Sequence, residues 1–140
     1  MQTFITDVDM ASSARNLDDR RLGKQRVEAI QILRTLLGMS SQGWRNHPIV
    51  KMWRGHETYL LKVYLKAILD EWVARGFRND KCAAHYDDLV ARVPGEPIAP
   101  PWIDEALIRS HRSNLVRKDP AFYGPRFPGV PGNLPYDWRA

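Results

Sequence analysis

Three stretches of this chain carry residue types whose spacing suits chemistry on an anionic partner. The densest is RNLDDRRLGKQRVEA, residues 15–29, where Arg15, Arg20, Arg21, Lys24 and Arg26 stand against Asp18, Asp19 and Glu28. On a helix such charges can form i,i+4 pairs across a solvated face, or they can line a cleft for phosphates. Arg26 breaks the surface pattern, because on a wheel it falls about 40° from Leu22 and about 20° from Leu33, inside the apolar arc. A guanidinium there must meet a carboxylate, snorkel out, or form a cleft wall. The second stretch is IRSHRSNLVRK, residues 108–118, with Arg109, Arg112, Arg117 and Lys118 and no acid among them. Cations beside the hydroxyl and amide groups of Ser110, Ser113 and Asn114 suit phosphate positioning, and a plain surface helix gives the same pattern. The third is GWRNHPIVKMWRGHE, residues 43–57, where Trp44, Arg45, His47 and Trp53 combine aromatic and cationic groups able to stack on unpaired bases. Trp53 also suits a core anchor.

Other chemistries lack their residues. His56-Glu57 has no second histidine four residues after His56, so a His-Glu-x-x-His zinc site is absent, and no Gly-rich phosphate loop or nucleophile elbow occurs. Asp7 and Asp9 read as a helix lead-in. Cys82, the single cysteine, is one turn from His85 but fits a small core residue better than a nucleophile, and it excludes an internal disulfide. No metal and no cofactor is expected.

The elements that must position these groups are helices. Apolar spacing is helical almost throughout, with no alternating strand pattern and no hairpin signal. A long helix is expected over about 12–37, capped by Asp9 or Ser12 and ended by Gly38. A loop over 38–47, a short helix over 48–54 and a second long helix over about 56–75, ended by Gly76, follow. A third helix is expected from Asn79 or Asp80 to Val93, and a fourth over about 104–118. The last twenty residues, with their prolines, glycines and aromatics, read as an ordered, non-helical tail. The result is one all-α domain over 1–140 with three to four main helices and a proline-rich C-terminal tail. At 140 residues, 44% hydrophobic and 26% charged, the chain suits a single soluble domain. Lys and Arg number 21 against 16 Asp and Glu, so the net charge of +5 suits a polyanion. No apolar run reaches the roughly 18–20 residues needed to span a bilayer. No basic and apolar leader opens the chain. A cytoplasmic monomer, away from membranes, is the expectation.

The order of these features resembles the pyrimidine-dimer DNA glycosylase family typified by phage endonuclease V. The likeness runs from about Met1 to Phe127. It rests on a short N-terminal lead, an Arg-rich first helix, a His-Pro segment and Gly55-His56-Glu57 opening an aromatic-rich helix. Arg75-Gly76-Phe77, Ser-His-Arg-Ser-Asn-Leu from Ser110 and Lys-Asp-Pro-Ala-Phe-Tyr from Lys118 complete it. The resemblance implies a helical protein that binds and kinks double-stranded DNA and needs no cofactor. It also implies an N-glycosylase and abasic-site lyase whose N-terminal α-amine attacks the sugar C1′ and forms an imine. A free α-amine, with an ordinary pKa of roughly 8, suits that task. Family members free this amine by losing the initiator Met before a small residue. Gln2 follows here, so Met1 supplies it, with Lys24 as the alternative amine. The family's helix glutamate falls on Gly23 or Gln25, depending on register, and Glu28 on the neighbouring turn substitutes. Arg20, Arg21, Gln25, Arg26, Trp44, Arg45, His47, Arg112, Arg117 and Lys118 are the expected DNA contacts. The alternative is a catalytically altered DNA- or nucleotide-binding protein on the same scaffold.

Overall fold

In the computed structural model residues 1–40 and 42–139 are described, Gln42 by its backbone alone; Ser41 of the expected loop and Ala140 of the expected tail lie outside the described residues. The first six residues form neither helix nor strand, and four of them, Thr3, Phe4, Ile5 and Thr6, are buried. A buried segment outside regular secondary structure has no ladder to take its N–H and C=O groups, so side chains must do it. Phe4 N–H donates to Gln25 Oε1 and to Tyr64 Oη, each at 3.2 Å. Ile5 N–H donates to His111 Nδ1 at 3.0 Å and Thr6 N–H to Ser13 Oγ at 2.8 Å. Tyr136 Oη donates to the Thr3 carbonyl at 2.5 Å, and Arg112 Nε to the Thr6 carbonyl at 2.8 Å.

Around this segment the described residues form seven helices and no strand. The all-α expectation holds, but the helix count is larger than three or four. The expected helix over 12–37 is two helices, α1 (Met10–Arg15) and α2 (Asp19–Leu36). The break comes from tertiary bonds that periodicity does not show. Asn16 Nδ2 donates to Thr6 Oγ1 at 3.1 Å, Leu17 is buried, and Asp18 N–H donates to Tyr123 Oη at 2.9 Å while its carboxylate accepts from the same hydroxyl. Asp9 caps α1 by accepting from Ser12 N–H at 3.0 Å. Gly38, at φ +70°, ends α2 as its left-handed stop.

A short 3₁₀ turn, Gln42–Trp44, leads to α3 (Pro48–Trp53), with proline in the first turn. Helix α4 runs over 57–74 and contains a π-helical stretch, Leu60–Leu65. It is the centre of the core: Leu60, Leu61, Tyr64, Leu65 and Ile68 are all buried, and α2 packs along it. Two more long helices follow, α5 (Asp80–Arg92) and α6 (Glu105–Lys118), the latter capped by Asp104 through Leu107 N–H at 2.9 Å. The expected non-helical tail begins later than the prolines suggest, because Pro120 starts a further helix, α7 (Pro120–Arg126), in the position where proline is tolerated.

Residues 127–139 then lie back along α6. Ser110, Ser113, Asn114 and Arg117 share one stripe of that helix and hold the tail. Ser110 Oγ accepts from Asp137 N–H and donates to the Pro135 carbonyl. Ser113 Oγ accepts from Leu134 N–H, and Asn114 Nδ2 donates to the Leu134 carbonyl. The hydroxyls and amide expected to position phosphates are buried fasteners of the tail instead.

His111 sits where tail, α6 and N-terminal segment meet, with no exposed surface. Because Nδ1 accepts from Ile5 N–H, the ring's proton belongs on Nε2, which faces the Asp137 carbonyl at 3.4 Å. Burial pushes the His111 pKa down from 6.5 to about 4. The unfolded chain therefore takes up a proton that the folded chain refuses. Stability is complete above about pH 6.5 and falls as pH drops toward 4, by up to roughly 3 kcal/mol for this ring. Denaturant unfolding at intervals between pH 7 and pH 4 should show that loss, with a flatter slope in His111→Gln. Equal slopes in the two proteins would contradict it.

Candidate active site

The N-terminal segment delivers Met1 into a cleft of about 440 Å³. Met1, Gln2 and Phe4 form part of its lining, and one face of α2 supplies Arg20, Arg21, Lys24, Gln25 and Glu28. His47, Lys118 and Trp138 complete it. Both candidate amines and the candidate carboxylate thus share one concavity.

Gln25 organises the floor and is buried. Its Nε2 donates to the Gln2 carbonyl at 3.0 Å and to Glu28 Oε2 at 3.2 Å. Its Oε1 accepts from Phe4 N–H and from Tyr64 Oη. One amide therefore fixes the backbone beside Met1 and the Glu28 carboxylate together. A carboxylate at position 25 could not make both donations. Burial and the Phe4 bond act on Tyr64 in opposite senses, burial winning, so its hydroxyl stays protonated far above the usual tyrosine range.

The cationic rim is of two kinds. Arg21 is committed to Asp18 at 3.3 Å and approaches Asp119 at 3.8 Å. Arg20, Lys24 and Lys118 make no ion pair or hydrogen bond among the described residues, and all three are exposed. Glu28 is the one carboxylate among the lining residues described. His47 caps α3 by accepting from Ile49 N–H through Nδ1 at 3.1 Å. Its pKa lies below the usual histidine value, first because it is partly desolvated and second because the positive amino terminus is near. Met1 and His47 line the same cleft.

Five expected contacts lie elsewhere. Arg26 does not face the cleft. Its guanidinium lies 4.0 Å above the Trp72 ring, and Nη1 donates to Asn79 Oδ1 at 3.2 Å and toward Cys82 Sγ at 3.5 Å. Among the described residues no carboxylate meets it, so the buried ion pair considered for it is replaced by a cation–π contact. Gly23 lies beneath the same indole, where a Cβ would come within 3.1 Å of the ring. Arg112 is spent on the Thr6 carbonyl and the Phe127 ring, 4.9 Å away. Arg117 bonds the tail carbonyls of Gly132 and Leu134, and also Asn114 Oδ1. Trp44 and Arg45 are exposed beside His47 rather than in the cleft lining. Trp138, by contrast, has no counterpart among the expected site residues. Its signal was the aromatic content of the tail, which spacing alone could not attach to a site.

An all-helical protein with its amino terminus held in a cationic, carboxylate-bearing cleft is the class that this geometry defines. The chain belongs to the pyrimidine dimer DNA glycosylase family, whose model matches residues 1–84. That span includes the N-terminal segment, all of α2 and His47, and so most of the cleft. No curated protein and no solved structure matches the chain. Among the described residues, no helix is long and apolar enough to cross a membrane.

The Arg26–Trp72 contact makes a prediction separate from the cleft. Arg26→Ala should lower unfolding stability by about 1–2 kcal/mol, a partly desolvated cation–π contact, while leaving the salt dependence of DNA binding as in the parent protein. A changed salt slope would return Arg26 to the DNA surface.

Proposed function

We propose that this protein is a DNA N-glycosylase and abasic-site lyase that acts through the α-amine of Met1 on double-stranded DNA. The observation that carries the reading is the shared cleft: the Met1 amine, the Glu28 carboxylate and the unpaired cations Arg20, Lys24 and Lys118 line one concavity. In the reaction the amine nitrogen attacks C1′ of the damaged nucleotide, the glycosidic bond breaks, and the base leaves with its electron pair and a proton. The ring-opened sugar is then held as an imine. Loss of a C2′ proton expels the 3′ phosphate, and water returns the amine. On this reading Glu28 accepts a proton in these steps and offsets positive charge developing at the sugar. Lys24 is the second amine within the cleft. The family description supports DNA as substrate. The residues of α2 and Lys118 support phosphate contact.

A second reading is favoured by one observation. Neither position to which the resemblance assigns a glutamate holds a carboxylate, since Gly23 lies under Trp72 and Gln25 is an amide tied to Glu28. On this reading the protein binds damaged or modified DNA, or a nucleotide, without cleaving it.

Borohydride decides between them. Reduction in the presence of abasic duplex should leave a covalent protein–DNA adduct that maps to the N-terminal peptide and is lost after N-terminal acetylation. Glu28→Gln should slow adduct formation roughly 10²-fold or more, the usual range for general acid–base catalysis, while DNA affinity changes little. An adduct on Lys24 would move the nucleophile. No adduct, with DNA still bound, would leave the binding protein.

The cationic rim gives a separate expectation. Arg20→Ala, Lys24→Ala and Lys118→Ala should each reduce the salt slope of binding by about 1, similarly across DNA sequences. Arg112→Ala should not, because its guanidinium already serves Thr6 and Phe127. Unchanged slopes in the first three variants would exclude this cleft as the phosphate track.

A further inference from the structure

Tyr64 is buried, does not line the cleft and takes no part in the amine chemistry, yet its hydroxyl bonds to the amide that orders the cleft floor. It stands in the π-helical stretch of α4, Leu60–Leu65. A π turn holds more residues than an α turn and so re-aims the side chains that it carries, and such turns are frequent at functional sites. Here the ring packs on Trp53, with centroids 5.9 Å apart, and Oη reaches across to α2 and to the N-terminal segment. It bonds to Gln25 Oε1, accepts from Phe4 N–H and lies within donating distance of the Phe4 carbonyl, the last two at 3.2 Å.

Two donors therefore meet Gln25 Oε1, the Phe4 N–H and the Tyr64 hydroxyl. They decide which way the amide faces. With its oxygen held on the core side, Nε2 is turned to the Gln2 carbonyl and to Glu28 Oε2. A flipped amide would set its NH₂ group against the Phe4 N–H, and its oxygen against the Gln2 carbonyl and the Glu28 carboxylate. Burial keeps the Tyr64 hydroxyl protonated far above the usual tyrosine range, so this donor is present at neutral pH.

We propose that Tyr64 is a positioning residue that acts through the Gln25 amide on the Glu28 carboxylate and on the Met1 end of the chain. The inference rests on the reading that Met1 and Glu28 carry the amine chemistry, and it adds what holds the two in register. A buried hydroxyl that served packing alone would be satisfied by the Phe4 carbonyl, and Gln25 Oε1 already has the Phe4 N–H. What the shared bond adds is direction, because an oxygen held by two donors resists a flip that one donor would allow. The same amide couples the reactive groups. Displacing residues 2–4 changes the donors on Oε1 and, with them, the donor offered to Glu28. The carboxylate is set only while the N-terminal segment is seated.

The test uses Tyr64→Phe, which removes the hydroxyl and keeps the ring on Trp53; circular dichroism and denaturant unfolding check the fold. In one arm, borohydride trapping on abasic duplex is followed at saturating DNA, and DNA affinity is measured beside it. Tyr64→Phe should trap roughly fivefold more slowly, the effect of one typical hydrogen bond, with affinity close to that of the parent. In a Glu28→Gln background the same change should cost about twofold or less, because the two residues act in one network. Trapping at the parent rate, or the same loss in both backgrounds, overturns the proposal. In the other arm, without DNA, nuclear magnetic resonance follows the side-chain amide protons of Gln25, which should exchange with solvent several-fold faster in Tyr64→Phe. Unchanged exchange overturns the proposal whatever the trapping shows. Faster exchange with no adduct even in the parent overturns the lyase reading and leaves the Tyr64–Gln25 orientation standing.

Discussion

The structure depends on keeping a non-helical, uncharged segment buried inside a helical protein. Thr3 to Thr6 are buried, and burying unpaired peptide groups costs on the order of 1–3 kcal/mol each. Five helices and the tail supply partners: Ser13 from α1, Gln25 from α2, Trp53 from α3 through Thr3 Oγ1, Tyr64 from α4, His111 and Arg112 from α6, and Tyr136 from the tail. These bonds set the register of residues 1–6 to a single residue, and therefore the place of the Met1 amine. Helix packing alone tolerates small shifts and rotations. A network of directional bonds to one strand of backbone does not. The position of the amino terminus is thus a consequence of folding.

The same requirement sorts the basic residues. Arg112 and Arg117 were attractive as phosphate contacts because no acid accompanies them in sequence. Backbone carbonyls are acceptors that a sequence does not mark, and Thr6, Gly132 and Leu134 use these guanidinium groups. Arginine suits this work because its planar fork can serve two acceptors from one side chain. The lysines Lys24 and Lys118 remain uncommitted at the cleft, together with Arg20. Net charge therefore overstates the surface available to DNA, and the three free cations of the cleft carry more of the argument than the total.

Much of the helical framework was legible. Gly38, Gly76 and Pro48 marked boundaries because their backbone preferences are local, and the structure has helix ends or starts there. The break at Asn16–Asp18 was not legible, since it is made by Tyr123, more than a hundred residues away. Nor was α7, because proline in a first turn and proline in a loop look alike in sequence. Within the site, Met1, Lys24 and Glu28 were named through the family resemblance and His47 from its residue type, and the fold brings them to one cleft. Trp138 was missed because only a tertiary latch connects the tail to that cleft. Arg26 was correctly marked as anomalous on its helix, but the wheel gives a direction and not a partner. The partner proved to be an indole.

The geometry of α2 also explains where a carboxylate can and cannot stand. Position 23 faces Trp72 so closely that even a Cβ would press on the ring, which leaves no route for a longer side chain into the cleft from there. Position 25 points inward, and its amide must donate twice and accept twice to hold Gln2, Glu28, Phe4 and Tyr64. A carboxylate there would turn both donations into repulsion between oxygens, one of them against Glu28. The helix face that remains open to the cleft is made by positions 20, 21, 24 and 28. Of these, 20, 21 and 24 are cationic, and Arg21 is paired with Asp18. Position 28 is one turn further and is joined to the Met1 end through Gln25. A glutamate at that position is what gives the described cleft lining its one carboxylate.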